Sequence, residues 1–247
     1  MDGLSVQLYS IRDALAADLP GALARLAALG VTQVEPFDIV GDPDGLRDAL
    51  AAAGLSAPSV HARVGAGVEL DRVFESAAAI GTHTVVHPHS APELWSSESG
   101  VDGVAEELAR AADAAEAYGL RVGYHNHHWE LASRVGGRPA LERLAERLPP
   151  AVVLELDTYW AAVGGEDVVA LLGRLGERVR LVHLKDGPID KDNAAQLPLG
   201  AGAMPVAEIV AAATAAELAV LEFDDYAGDL FEGLAASLAF ANGLGLR

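Results

Sequence analysis

The stretch YHNHHWE, Tyr124 to Glu130, places three of the chain's eight histidines in four positions and closes on a carboxylate. Seven of the eight (His61, His87, His89, His125, His127, His128 and His183) lie at or just past the C-terminal ends of short apolar runs that read as strands. His83 alone stands at the start of one. Carboxylates join them: Glu35, Glu155, Asp157, Glu222 and Asp224, with Lys185 and Asp186 directly after His183. Residues two apart on a strand share a face. His125 with His127, Glu155 with Asp157, His183 with Lys185, and Glu222 with Asp224 can therefore project together. This is a mixed nitrogen and oxygen donor set without sulfur, suited to Mn²⁺, Mg²⁺, Co²⁺ or Zn²⁺. Burying several carboxylates without a cation is costly, because desolvation and mutual repulsion both oppose their charge. Taken singly, a strand-end histidine is more often a hydrogen-bonded structural residue, and Glu155 reads equally as half of an internal salt bridge. His83 and His128 read as surface residues or as a layer behind the ligands. The coincidence on four consecutive strand ends is what points to chemistry.

The elements that must hold these residues repeat one unit. An alanine-rich amphipathic segment ends at a glycine, and an apolar run follows: LARLAALG before VTQVEPF, LRDALAAAG before LSAPSVH, VFESAAAIG before THTVVHPH, ARAADAAEAYG before LRVGYHNH. Gly30, Gly54, Gly81 and Gly119 stand where a helix C-cap needs positive φ. The runs are apolar on both faces, as strands of a covered parallel sheet are. Eight are expected, at Leu4–Tyr9, Thr32–Phe37, Leu55–His61, His83–His87, Leu120–His125, Val152–Asp157, Val179–His183 and Ala219–Phe223, with a last helix at Asp229–Asn242. Eight βα units in 247 residues imply a (β/α)₈ TIM barrel, one domain over residues 1–247, whose functional end is the C-terminal end of the strands. An open doubly wound sheet is the alternative, but no GxGxxG follows the first strand. Ser90–Gly103 and Gly187–Gly202 read as long βα loops.

Composition narrows the function further. The chain has no cysteine, which excludes disulfides, thiolate metal sites and cysteine nucleophiles and suits a cytoplasmic protein. No basic segment followed by an apolar block opens it, and no run of 18 apolar residues occurs, so neither a signal peptide nor a membrane span is expected. A net charge of −19 argues against nucleic acid and anionic membranes as partners. A hydrophobic content of 51% implies a large buried core.

Read in order, YHNHHWE, LELDTYWAAVGG, RVRLVHLKDG, PLGAGAMPVAEI and VLEFDDY resemble the sugar phosphate isomerase/epimerase family, whose fold is the xylose isomerase-like TIM barrel. Its members include ketose 3-epimerases, hydroxypyruvate isomerase, inosose dehydratase and the AP endonucleases of that fold. SVQLYSIRDAL at the front also fits, so the resemblance covers nearly the whole chain; its motifs after Gly119 are the specific ones. It implies one divalent metal, Mn²⁺ first, with Mg²⁺, Co²⁺ or Zn²⁺ as alternatives, on a Glu, Asp, His, Glu set from strands five to eight. Carried over, the Asp is Asp157, the His is His183 and the last Glu is Glu222. The fifth-strand Glu falls on His125. That departure is closer to the inosose dehydratase style, and it leaves His125, His127 or Glu130 to face the metal.

The resemblance further implies proton abstraction beside a carbonyl or hydroxyl carbon of a sugar or sugar-phosphate-like substrate through a metal-stabilised enediolate, giving isomerisation or epimerisation. Glu222 would be the base, with His127, Lys185 or Glu155 as partner acid or base. Trp160 and His89 would line the substrate pocket, Trp129 and Glu130 would shape its rim, and Lys185 could instead bind an oxyanion. The alternatives are a metal-dependent dehydratase or lyase on a keto-sugar or keto-inositol, and a non-catalytic sugar-binding barrel. An AP endonuclease would draw extra ligands from His61 and His87 but is disfavoured by the charge. The expected partner is a small sugar or polyol; family barrels also often form homo-oligomers.

Overall fold

Strands apolar on both faces must be covered on both sides, and a closed ring of parallel strands wrapped in helices does this. The computed structural model describes residue 1 and residues 3–247. Eight strands form the ring: β1 Gly3–Gln7, β2 Gln33–Glu35, β3 Ser59–His61, β4 Thr84–His87, β5 Arg121–His125, β6 Val152–Asp157, β7 Val179–Leu184 and β8 Leu218–Leu221. They pair in the order β2-β1-β8-β7-β6-β5-β4-β3, all parallel. Two isolated parallel bridges, Gln33–Ser56 and Phe37–His61, close the ring between β2 and β3. There the Val34 amide donates to the Ser56 carbonyl at 2.9 Å and the His61 amide to the Pro36 carbonyl at 2.8 Å. The chain is a TIM barrel.

All eight expected strands are present, Val152–Asp157 to the residue and the others with shifted ends. β1 stops at Gln7 because Leu8–Ile11 tightens into a 3₁₀ turn, which moves Tyr9 onto the rim. β8 stops at Leu221, so Glu222 and Asp224 stand on the loop beyond it. The last helix is Leu230–Gly243, with Asp229 as its N-cap. The four expected cap glycines have φ of +88°, +71°, +86° and +66° at Gly30, Gly54, Gly81 and Gly119, a region that costs side-chain-bearing residues energy.

One expected loop is half helix. Ser90–Gly103 contains a 3₁₀ turn, Pro92–Ser96, and the start of a helix, Glu98–Ala115. Two glycines hide that helix from a propensity reading, since each costs about 1 kcal/mol relative to alanine. Packing overrides the cost: Val101, Val104, Leu108 and Ala111 bury one face, and a Cβ at Gly100 would collide with the Leu94 carbonyl. Gly187–Gly202 is the long loop expected, broken only by a 3₁₀ turn at Asn193–Ala195.

Val6, Val34, Val60, Val85 and Val122 are fully buried along the strands, as is Leu156, whose truncation to alanine would cost about 2–5 kcal/mol. Gln7, Glu35, Ser59, Glu155, Asp157 and His183 are buried just as completely. Among the described residues no helix is long and apolar enough to cross a membrane.

Candidate metal centre and active site

His125 at the end of β5, Asp157 at the end of β6, His183 on β7 and Glu222 just past β8 converge, each offering one ligand atom within 4.8 Å of the others. His61, His125, Glu155 and His183 form a second such group that shares two imidazoles with the first. His183 is the hub. Its Nδ1 lies 2.7 Å from Glu222 Oε2, and its Nε2 lies 2.9 Å from Glu35 Oε1 and 3.1 Å from Glu155 Oε2. Glu35 is held from below, where it accepts hydrogen bonds from Gln7 Nε2 at 2.8 Å and from the Ser59 hydroxyl. His61 Nε2 sits 2.6 Å from Glu155 Oε2, and His125 Nδ1 sits 3.0 Å from the same oxygen.

Asp157 divides its two oxygens between tasks. Oδ1 caps the helix Thr158–Val163 by accepting from the Trp160 amide at 2.8 Å. That bond turns Oδ2 into the cluster, 3.7 Å from His125 Nε2. Asn126 ties β5 to this point, its side-chain oxygen accepting from the Asp157 amide at 3.0 Å. Lys185 is buried among three carboxylates: Asp157 at 2.9 Å, Glu222 at 2.7 Å and Asp224 at 2.8 Å. Its ammonium is close enough to Asp157 Oδ2 for an ion pair but too misaligned to donate. Among the described residues Glu155 Oε1 finds no hydrogen-bond donor, and Asp157 Oδ2 has only the Lys185 ion pair. Each orphaned buried acceptor costs about 1–3 kcal/mol. A cation contacting such oxygens removes that cost, so the donor set fits a divalent metal.

The charges inside this cluster are set by a contest between burial and neighbours. Burial opposes the proton on His61, but Glu35 and Glu155 override it and raise the pKa to about 10. His183 is likewise pushed well above the usual imidazole range, burial being outweighed by Glu155 and Glu222. Burial also opposes the charge on Glu222, yet Lys185 and His183 hold its pKa below the usual carboxylate range. At Glu155 burial and Glu35 push upward, but His183 and His61 win and bring it to about 2. At Asp157 burial wins and raises the pKa to about 6 despite Lys185. His125, buried and facing His183, is pushed well below its ordinary value, so it is neutral, the form that ligates metals.

Above the cluster opens a cavity of about 920 Å³, bordered by His125, His127, Glu222 and Asp224 among others. His127 stacks on Trp129 with centroids 4.4 Å apart, and His89 meets His127 edge-on at 5.7 Å. Burial, Lys185 and His89 lower the His127 pKa to about 3, and its Nδ1 has no partner among the described residues. Trp160, His89 and the half-buried His128 border the cavity. Glu155 and Lys185, cast as acid–base partners, are buried and stay out of its lining.

Glu130 is not a rim residue: it is fully buried, accepting from the Tyr124 hydroxyl at 2.8 Å and from the His127 amide at 2.9 Å. Burial raises its pKa to about 8. Its carboxyl shapes the turn that carries His127 rather than touching a ligand. His87 accepts from the Val64 amide at 3.1 Å, and burial lowers its pKa to about 4. His83 is exposed. Asp186 is the staple of the long loop after β7, accepting from the amides of Gly187, Gly200, Gly202 and Met204. In that loop Gln196 donates to Asp224 at 2.7 Å. Gln7 carried a signal that went unused, a polar side chain on an otherwise apolar strand, and Glu35, though noticed, was given no role.

Residues 23–240 match the family described as xylose isomerase-like TIM barrel. The chain belongs to that family. Among curated proteins, this xylose isomerase-like barrel is similar to the inosose dehydratase of Geobacillus kaustophilus, 40% identical over 90 residues. That segment spans 36% of the chain and 27% of the relative's length. Among solved structures, a sugar phosphate isomerase/epimerase from Parabacteroides distasonis superposes with a TM-score of 0.82 at 24% identity, covering 97% of this chain and 93% of that one. A xylose isomerase-like TIM barrel protein from Mycobacterium smegmatis in complex with magnesium superposes with a TM-score of 0.75 at 16% identity, covering 99% and 96%. At these identities the two structures speak for the fold.

Proposed function

We propose that this barrel is a divalent-metal-dependent enzyme that removes a proton beside the carbonyl or hydroxyl carbon of a sugar-like substrate, isomerising or epimerising it. The observation that carries the reading is the convergence of His125, Asp157, His183 and Glu222 beneath a cavity that Glu222 and His127 both border. Those four residues would hold the metal, Mn²⁺ first among the candidates; the magnesium complex of the mycobacterial neighbour supports a divalent ion in this fold. A divalent ion held there supplies Lewis acidity and a template for two adjacent substrate oxygens.

The protein's own groups divide the remaining work. Glu222 is kept ionised by Lys185 and His183 and reaches the cavity, so it takes the proton. Of the three partners considered, His127 is the one that borders the cavity. It is neutral at physiological pH, so one ring nitrogen can give a proton to a substrate oxygen while the other accepts one. Lys185 and Glu155 position the groups around them. Trp160 and His89 form walls.

The test is solvent exchange. Protein dialysed against Mn²⁺ and incubated with keto-sugars in D₂O should incorporate deuterium beside the carbonyl, read by NMR. Glu222→Gln should slow that exchange at least about a hundredfold, the scale of a lost general base. Exchange that persists in Glu222→Gln would remove Glu222 from the role. A second reading, elimination of water, is favoured by the match to inosose dehydratase and by histidine at position 125. Product analysis separates the two, because only the dehydratase yields a product lighter by one water.

A further inference from the structure

The cavity is larger than one sugar ring requires. A six-carbon sugar has about 12 non-hydrogen atoms and, at no more than a water molecule's ~30 Å³ per heavy atom, fills at most about 360 Å³. More than half of the 920 Å³ remains. The remainder differs chemically from the metal end. Over β1 to β3 the cavity is bordered by the apolar Tyr9, Phe37, Ile39, Val40, Val68 and Val73, with the charged Arg12, Asp38 and Arg63 beside them. Tyr9 and Phe37 meet edge to face with centroids 5.3 Å apart, and Tyr9, which borders the cavity, is 41% exposed.

This wall is fixed relative to the chemistry. The Arg12 guanidinium lies 4.4 Å over the Tyr9 ring and donates to the backbone carbonyls of Tyr9 at 3.1 Å and Asp224 at 3.0 Å. Asp224 in turn accepts from Lys185. One cation thus ties the aromatic wall to the loop that borders the metal ligands. A preformed apolar surface continuous with a polar reacting end is built to bind a ligand with two unlike parts.

We infer that the substrate is a glycoside. Its reacting sugar ring sits over the His125–Glu222 cluster, and its aglycone, an aryl group or the C–H face of a second sugar, packs into the Tyr9–Phe37 corner, on the face of one ring and against the edge of the other. This rests on the sugar chemistry proposed above and names the substrate class for it.

Calorimetry with the Mn²⁺-dialysed protein tests it, using D-glucose, phenyl β-D-glucopyranoside and cellobiose as probes. Phenyl glucoside or cellobiose should bind at least about tenfold tighter than glucose, the scale of one added aromatic contact and its burial. Which of the two gains more tells an aryl from a sugar aglycone. Tyr9→Ala should shrink the ratio to about twofold or less, and Tyr9→Phe should keep it. Tyr9 is 41% exposed, and circular dichroism verifies that both variants fold before they are compared. Equal binding of all three probes, a ratio that survives Tyr9→Ala, or no binding of either glycoside overturns the inference. Failure of the metal-dependent chemistry is a separate outcome, read as exchange with keto-sugars that does not respond to metal.

Discussion

The two ends of the barrel handle charge in opposite ways. At the N-terminal end Arg121 and Arg180 share Glu217, at 2.8 and 2.5 Å, with all three side chains a third to nearly a half exposed. At the C-terminal end Glu35, Glu155, Asp157, His183 and Lys185 are buried almost completely; among the described residues Glu155 Oε1 lacks a donor and Asp157 Oδ2 has only the Lys185 ion pair. Water screens the first group and makes it nearly neutral in energy. The second is sustained only by its internal counter-charges, and such a cost is tolerated where it serves a site. The contrast singles out the C-terminal end of the barrel without reference to any relative.

Breaking the buried side should produce the largest effect. Lys185→Met leaves Asp157, Glu222 and Asp224 without their shared cation. The metal-free variant should lose about 3–5 kcal/mol, measured by urea unfolding, as for a buried ion pair stripped of one partner. Mn²⁺ should restore part of the loss in Lys185→Met.

Glu35→Gln should come next. Glu35 accepts from the Nε2 side of His183, so that Nδ1 is presented toward Glu222, the arrangement by which a carboxylate orients a ligating histidine. Mn²⁺ affinity should fall about 10- to 100-fold by calorimetry. An unchanged affinity would make Glu35 a structural residue only.

The pH dependence sharpens the comparison. His183 keeps its proton well above the usual range in the absence of metal, yet a ligand must be neutral. Mn²⁺ binding therefore releases that proton and should tighten by about tenfold per pH unit between about pH 6 and pH 8. In the metal-free protein the sign reverses. His61 has a folded pKa of about 10, above the unfolded 6.5. Its contribution to stability is complete below about pH 6.5 and is lost as the pH rises through 10. The apo melting temperature should accordingly fall between about pH 8 and pH 10.

The exposed side should give the smallest effect. The neighbouring Arg121 and Arg180 lower the Glu217 pKa to about 2, which taken alone would suggest appreciable stabilisation. With Glu217 44% exposed, solvent screening reduces this, and Glu217→Gln should cost no more than about 1 kcal/mol in unfolding.

The contrast also explains what could be read in advance. Parallel strands covered on both faces are apolar except at their ends, so His125, Asp157, His183 and Glu222 stood out from their runs. The cap glycines did the same for the helices. The burial of Glu130 was not legible, because it depends on a turn that brings its carboxyl back to Tyr124 and the His127 amide. Nor was the wall of Tyr9 and Phe37: single aromatics near strand ends look like core until β1 tightens into its turn. The closing of three carboxylates around Lys185 needs the ring of β6, β7 and β8, which local spacing does not encode.

Elemental analysis tests the central claim most directly, on wild-type protein and on Asp157→Asn/His183→Gln after dialysis against Mn²⁺. Four ligands in one cluster predict about one divalent ion per wild-type chain and its loss from the double variant, with folding verified by circular dichroism. No metal in the wild type, or full occupancy in the double variant, would contradict the assigned metal centre and the chemistry built on it.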